Sequence, residues 1–112
     1  MQRRTLVQAT LAAPLLGACG IHRPLRLAYL GGLSGKFADL GSEQRNAVLL
    51  TLEQFNADSP LGSGAIELIE GDDAQDPVRA AGALRTLAAQ EPVAVIGPAT
   101  SSIGVALAPL AA

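Results

Sequence analysis

Residues Leu27–Gly41, LAYLGGLSGKFADLG, decide the fold: a short apolar run, a glycine-rich turn, then the approach to an amphipathic helix. In a parallel α/β domain, ligands sit beyond the carboxyl ends of the strands, where backbone N–H groups and helix N-termini point outward. This stretch is the first such place in the chain. Just upstream, Leu25–Gly31 (LRLAYLG) is apolar at positions 25, 27, 28, 29 and 30. A near-continuous apolar run fits a strand covered on both faces, as in a parallel sheet. Downstream, Ser42 reads as the N-cap of a helix to about Asn56. Its inner face is expected to carry Val48, Leu52 and Phe55, and its outer face Gln44, Leu50, Glu53 and Gln54.

The same pattern repeats along the chain. Residues 58–64 (DSPLGSG) form a turn-rich connection. Ala65–Glu70 (AIELIE) alternates well enough to be a second strand near an edge. Gly71–Asp76 reads as an acidic loop. Asp76-Pro77 opens a second helix with Asp as N-cap and Pro at the first helical position. Ala80, Leu84, Leu87 and Ala88 share one face of that helix, against Arg79, Thr86 and Gln90 on the other. Val93–Ile96 (VAVI) is a β-branched apolar strand, expected to be the central one. Gly97–Ser102 then turns into a third helix near Ile103. The fold class is therefore α/β, a parallel three-stranded β-α-β-α-β-α unit with helices on both faces. The pattern is still running at Ala106–Ala112 (ALAPLAA), and an apolar third strand wants a further neighbour. The chain is expected to be a fragment of a longer protein.

Composition narrows the function. The chain has 112 residues, half of them apolar, with only Tyr29, Phe37 and Phe55 aromatic, so the core is aliphatic. Formal charge is −2, and removing Arg3 and Arg4 with a leader takes the 8 basic residues to 6 against 10 acidic, or −4. An acidic body without a basic stripe argues against nucleic-acid binding. A single cysteine excludes an internal disulfide and a multi-cysteine metal site, and the lone His22 has no ligand partner in sequence.

Residues 1–18 read as an export signal: Arg3-Arg4 supplies charge, Leu6–Leu16 an apolar run too short to span a bilayer, and Gly17-Ala18 the small residues before Cys19. Leu16-Gly17-Ala18-Cys19 resembles the bacterial lipobox, which implies an acylated Cys19, a linker over 19–25 and a body over 26–112. Acyl chains contribute about 0.8 kcal/mol per buried methylene, so several tether a protein to a membrane surface. Arg3-Arg4-Thr5-Leu6-Val7 also resembles a twin-arginine signal.

Tests for chemistry mostly fail. The phosphate loop needs Gly, four residues, then Gly-Lys-Ser/Thr; here Leu30 and Phe37 occupy two of the four fixed positions. No frame supplies the three glycines of the dinucleotide fingerprint. A nucleophile elbow would need glycine at Lys36, and no histidine follows Ser34 to activate it. Asp72, Asp73 and Asp76 are too few for calcium; Asp76 reads as a helix cap, with the other two carboxylates near the helix N-terminus, so no metal and no cofactor is expected. Thr100-Ser101-Ser102 is more suggestive: three hydroxyls lie at a strand's carboxyl end and a helix start. Binding of an anionic head group and simple N-capping, which needs only one of the three, both fit.

Several of these pieces together resemble the opening of the periplasmic solute-binding proteins of the branched-chain amino-acid type, which serve ABC importers. They are Leu30-Gly31-Gly32-Leu33-Ser34-Gly35, Gly41, Glu53-Gln54-Phe55-Asn56-Ala57, Asp72-Asp73-Ala74-Gln75-Asp76-Pro77, and Ile96-Gly97-Pro98 running into Thr100-Ser101-Ser102. The resemblance covers Arg26 to Ala112. It implies two α/β lobes that close on a ligand, with this chain covering the start of the first lobe. It implies that Ser101 contacts an amino acid's α-carboxylate or ammonium with Ser102 or Thr100 assisting, and that Leu33 and Ser34 lie at the mouth of the cleft. Amino-acid binders of this kind often carry tyrosine where this chain has Leu40, and some form a disulfide where it has Gln75 and Thr100. The implied partners are an amino-acid-like solute, permease subunits and, through Cys19, a membrane; the implied location is the periplasm or cell surface. Such a binder performs no catalysis. The alternative on the same fold is a lipoprotein interaction or sensory module, such as a cell-wall synthase activator or a receptor domain.

Overall fold

The computed structural model describes residues 23–59 and 64–112; the expected leader and Cys19 lie outside the described residues. The elements alternate as β1 (Leu25–Gly31), α1 (Ala38–Asp58), β2 (Ile66–Asp72), α2 (Pro77–Ala88), β3 (Ala94–Ile96) and α3 (Ser101–Leu107), followed by a 3₁₀ turn at Ala108–Leu110. Leu25, shared between linker and strand in the sequence reading, belongs to β1. All three strands are parallel, in the order β2-β1-β3.

That order corrects one expectation: β1, not Val93–Ile96, is central. β1 pairs with β2 over its whole length and with β3 from Leu27 to Tyr29. Ala28, Tyr29 and Leu30 are each at most 1% exposed because both faces of β1 are covered. On one face Ala28 and Leu30 pack with Ala80 and Leu87 of α2 and with Ile103 and Leu107 of α3. On the other, Tyr29 reaches α1, donating from its hydroxyl to the Gly41 carbonyl at 2.8 Å. In contrast, Val93 is 63% exposed and Val95 39%. An all-apolar strand reports that its faces suit a core, not where it lies in the sheet.

The start of α1 also differs. The helix begins at Ala38, with Phe37 in the N-cap position and no side-chain capping bond, so Ser42 lies inside it. The loop closes early because the Ala38 N–H donates to the Gly35 carbonyl at 3.2 Å. Gly41 is a packing residue: a Cβ there would overlap the Gly32 carbonyl oxygen, so only glycine lets α1 lie this close to the β1–α1 loop. Gln44, expected on the outer face, turns to the sheet and meets the Tyr29 hydroxyl at 3.1 Å. Leu52 is buried as expected, whereas Phe55 is half exposed. At its far end α1 is tied to β2 by Asn56, which donates to the Ile66 carbonyl at 2.8 Å and accepts from the Ile66 N–H at 3.0 Å.

α2 starts as its sequence dictates. Asp76 accepts from the Arg79 N–H at 2.7 Å, and Pro77 occupies the first helical turn, where its missing N–H is not needed. Ala80 and Leu87 are buried with Leu84 beside them, while Ala88 is exposed. α3 begins at Ser101, two residues before the expected start, and Thr100 gives it no side-chain cap. Among the described residues no helix is long and apolar enough to cross a membrane.

Candidate functional site

Parallel strands with helical crossovers bring all three strand ends to one side of the sheet. There the β1–α1 loop carries Leu33 and Ser34, the β2–α2 loop carries Asp73–Asp76, and the β3–α3 loop carries Gly97–Thr100. These loops are joined by side-chain hydrogen bonds, so the residues singled out from sequence share one rim.

The first joint is Asp72. As the last residue of β2 it lies in register with Gly31 of β1, which aims its carboxylate at the chain leaving β1. Its Oδ1 accepts from the N–H groups of Leu33 at 2.9 Å, Ser34 at 3.2 Å and Ala74 at 2.9 Å, and its Oδ2 accepts from Ser34 Oγ at 2.5 Å. Partial desolvation pushes the Asp72 pKa up, but the bonds from the Ser34 hydroxyl and the Ala74, Leu33 and Ser34 amides outweigh it and hold the carboxyl below its ordinary value. Exposed Arg79 stands 3.8 Å from Oδ2.

The second joint runs from Asp73 to Ser102. Asp73 is wholly buried; its Oδ1 accepts from the Gln75 N–H at 2.8 Å and faces Gln75 Nε2 at 3.3 Å, while its Oδ2 has no partner. Gln75 in turn accepts through Oε1 from the Thr100 hydroxyl at 2.9 Å, and Thr100 Oγ1 lies 3.4 Å from Ser102 Oγ. Positions 75 and 100, where the resemblance places a disulfide in some relatives, are thus joined by a hydrogen bond. Gly97 directs the chain into this loop at φ +127°, where a Cβ would overlap the Leu30 carbonyl. The Gly97–Pro98 peptide is cis.

Ser34, Ser101 and Ser102 are exposed on the rim, with Leu33 and Thr100 half-buried behind them. The carboxylates take roles the sequence reading missed. Asp72 and Asp73 do not merely decorate the N-terminus of α2: Asp72 organises the β1–α1 loop, and Asp73 orients Gln75. A strand-terminal carboxylate opposite a glycine turn was the signal for Asp72; nothing local marked Gln75. Among the described residues no group of three or more His, Cys, Asp or Glu is placed to hold a metal. The rim is a one-sided wall. An apolar groove lies elsewhere, between α1 and the sheet, lined by Leu27, Val48, Leu52 and Ile96.

A profile of the periplasmic binding proteins matches residues 24–112. The chain is similar to the crystal structure of a possible leucine/isoleucine/valine-binding protein from Rhodopirellula baltica SH 1, at 27% identity and TM-score 0.72 over 80% of this chain and 25% of that one. It is similar to a periplasmic binding protein type 1 from Bordetella pertussis Tohama I, at 30% identity and TM-score 0.71 over 80% of this chain and 24% of that one. It therefore spans about a quarter of the length of either structure. No curated protein sequence matches it. With a profile that covers the whole described body, and with the lobe architecture expected from sequence, the chain belongs to the periplasmic binding protein family.

Proposed function

We propose that this chain supplies one wall of the cleft of a two-lobed solute-binding protein, which captures branched-chain or similar small amino acids for an ABC importer. The observation that carries the reading is the rim itself. Three strand ends are cross-linked into one surface that presents Ser34, Ser101 and Ser102, where α/β folds bind their ligands. The similarity to a possible leucine/isoleucine/valine-binding protein supports the ligand class. In this reading Ser101 bonds the ligand's charged head group, assisted by Thr100 and Ser102, with Leu33 and Ser34 at the mouth. The open wall acts by binding alone: contacts from a facing lobe stabilise the closed state, and permease subunits read closure. The protein is anchored at the periplasmic face or cell surface by lipid on Cys19.

Calorimetric titration of the full-length protein with L-leucine, L-isoleucine and L-valine tests the reading. At least one binds, and Ser101→Ala weakens it by more than about tenfold, the size expected for losing a hydrogen bond to a charged group. Unchanged affinity removes Ser101 from the site, and no binding by any of the three removes the ligand class. Mass spectrometry of the mature N-terminus is expected to find a diacylglycerol-modified Cys19; an unmodified Cys19 or a retained leader refutes the anchor.

A further inference from the structure

At the end of the sheet opposite the rim, where the strands begin, a cavity of about 300 Å³ opens among Arg23, Leu25, Arg26, Glu67, Glu91 and Val93. Strand pairing holds its walls together: Leu25 lies in register with Ile66, and the Val93 N–H donates to the Arg26 carbonyl at 2.8 Å. Arg26 is fixed in place, because its Nε donates to Glu67 at 2.6 Å and its Nη1 to the Gln90 carbonyl at 3.1 Å. A guanidinium has five N–H groups, and these two bonds leave three for an anion. With Arg26 and Glu67 paired, the charges left over are one cation, Arg23, and one anion, Glu91. Among the described residues neither has an ion-pair partner. Glu91 follows the end of α2 at φ +55°, a left-handed position that helices commonly give to glycine. A glutamate there forgoes backbone ease and supplies the cavity with a carboxylate. Leu25 and Val93, each at least half exposed, add apolar surface beside these charges.

We propose that this cavity takes the phosphoethanolamine headgroup of a membrane lipid, with Arg23 and Arg26 on the phosphate and Glu91 on the ammonium. The assignment rests on the lipid anchor proposed for Cys19. Residues 20–23 span at most about 14 Å, at 3.3–3.6 Å each. An acylated Cys19 therefore keeps the strand-start end of the sheet close to the lipid surface, where a tethered headgroup reaches an effective concentration on the order of millimolar. With a headgroup seated, β1 points away from the bilayer and the rim stands about 20 Å further out. The charge count selects the headgroup. Two arginines and two glutamates sum to zero, so this face lacks the attraction for anionic lipid that a basic segment has. A phosphate and an ammonium joined by two carbons match one cation and one anion. Arginine N–H groups suit the phosphate, and Glu91 needs an N–H donor, which an ethanolamine ammonium has and a choline lacks.

Soluble headgroups test the cavity without a membrane. The mature full-length protein carrying Cys19→Ser is titrated with glycerophosphoethanolamine, glycerophosphocholine and glycerophosphoglycerol, following the Arg26 and Val93 amides by nuclear magnetic resonance. The ethanolamine compound is expected to bind saturably in the millimolar range, and the other two at least about fivefold more weakly. Arg23→Gln and Glu91→Gln each weaken it by about fivefold or more; both residues are exposed, so the urea midpoint stays unchanged. Equal binding of the three compounds, or none below about 50 mM, overturns the proposal. In the membrane arm, the acylated protein on phosphatidylethanolamine nanodiscs carries a spin label at Val93→Cys or at Ser102→Cys. The label at position 93 is expected at headgroup depth and the label at position 102 about 20 Å further out; equal depths, or the reverse order, overturn the orientation. Acylated Cys19 with no headgroup preference leaves the anchor standing and removes this site alone. Saturable headgroup binding with an unmodified Cys19 in the native protein shows instead that the anchor fails, and the lipid assignment with it.

Discussion

Replacing Asp72 with alanine removes the acceptor for three backbone N–H groups and one hydroxyl at once. The cost is less than four separate bonds. The Leu33 N–H retains a second acceptor, the Gly31 carbonyl at 3.1 Å, and exposed Ser34 is rehydrated by water. What remains is the half-buried Ala74 amide and the loss of order in the β1–α1 loop. Hydrogen bonds to charged groups are worth about 1.5–3 kcal/mol each, so the net destabilisation is about 2 kcal/mol. Urea unfolding of the full chain followed by circular dichroism reads this as a drop in midpoint of about 1–2 M. The pH dependence gives a second test. Because the folded Asp72 pKa lies below its ordinary value of 3.8, the contribution is fully present above about pH 4. It is lost as pH falls through the lowered folded value. Asp72→Asn lacks that acid limb. A loss under about 0.5 kcal/mol in the alanine variant, or an unchanged acid limb in the asparagine variant, refutes the role given to Asp72.

Two further outcomes test the packing beneath the rim. Leu87→Ala opens a cavity among Ala28, Leu30, Ile103 and Leu107 and is expected to cost about 2–5 kcal/mol in urea unfolding, with a loss under about 1 kcal/mol contradicting the assigned core. Tyr29→Phe removes the 2.8 Å bond to the Gly41 carbonyl, for a loss of about 1 kcal/mol. Burial, with help from the charges of Asp73 and Glu70, raises the Tyr29 pKa above 10.0, so wild-type stability is full below pH 10 and falls as pH rises through the folded value. Tyr29 is the only tyrosine, so phenolate absorbance reads it directly; titration at the ordinary value contradicts the burial.

Local signals carried the architecture. The near-continuous apolar run at Leu25–Gly31 and the Asp76-Pro77 start of α2 are statements about neighbouring residues, and both are met in the structure. The errors fall where a distant contact decides. Ser42 has the chemistry of a cap, but the loop closing at Gly35 and the approach of Gly41 to Gly32 start α1 five residues sooner. Val93–Ile96 has central-strand composition, yet pairing alone assigns the centre to β1. At the site, the hydroxyl residues were legible because each lies next to a strand end in sequence. The links between them were not: Asp72 to Ser34 and Gln75 to Thr100 span 38 and 25 residues. Such links follow from strand register, which no single stretch contains.

The most direct test is a crystal structure of the full-length protein with L-leucine. Its charged head group is expected within hydrogen-bonding distance of Ser101 and Ser102, beside the Ser34 loop. Leucine seated instead in the apolar groove of Leu27, Val48, Leu52 and Ile96, with the rim untouched, contradicts the assignment of the cleft wall.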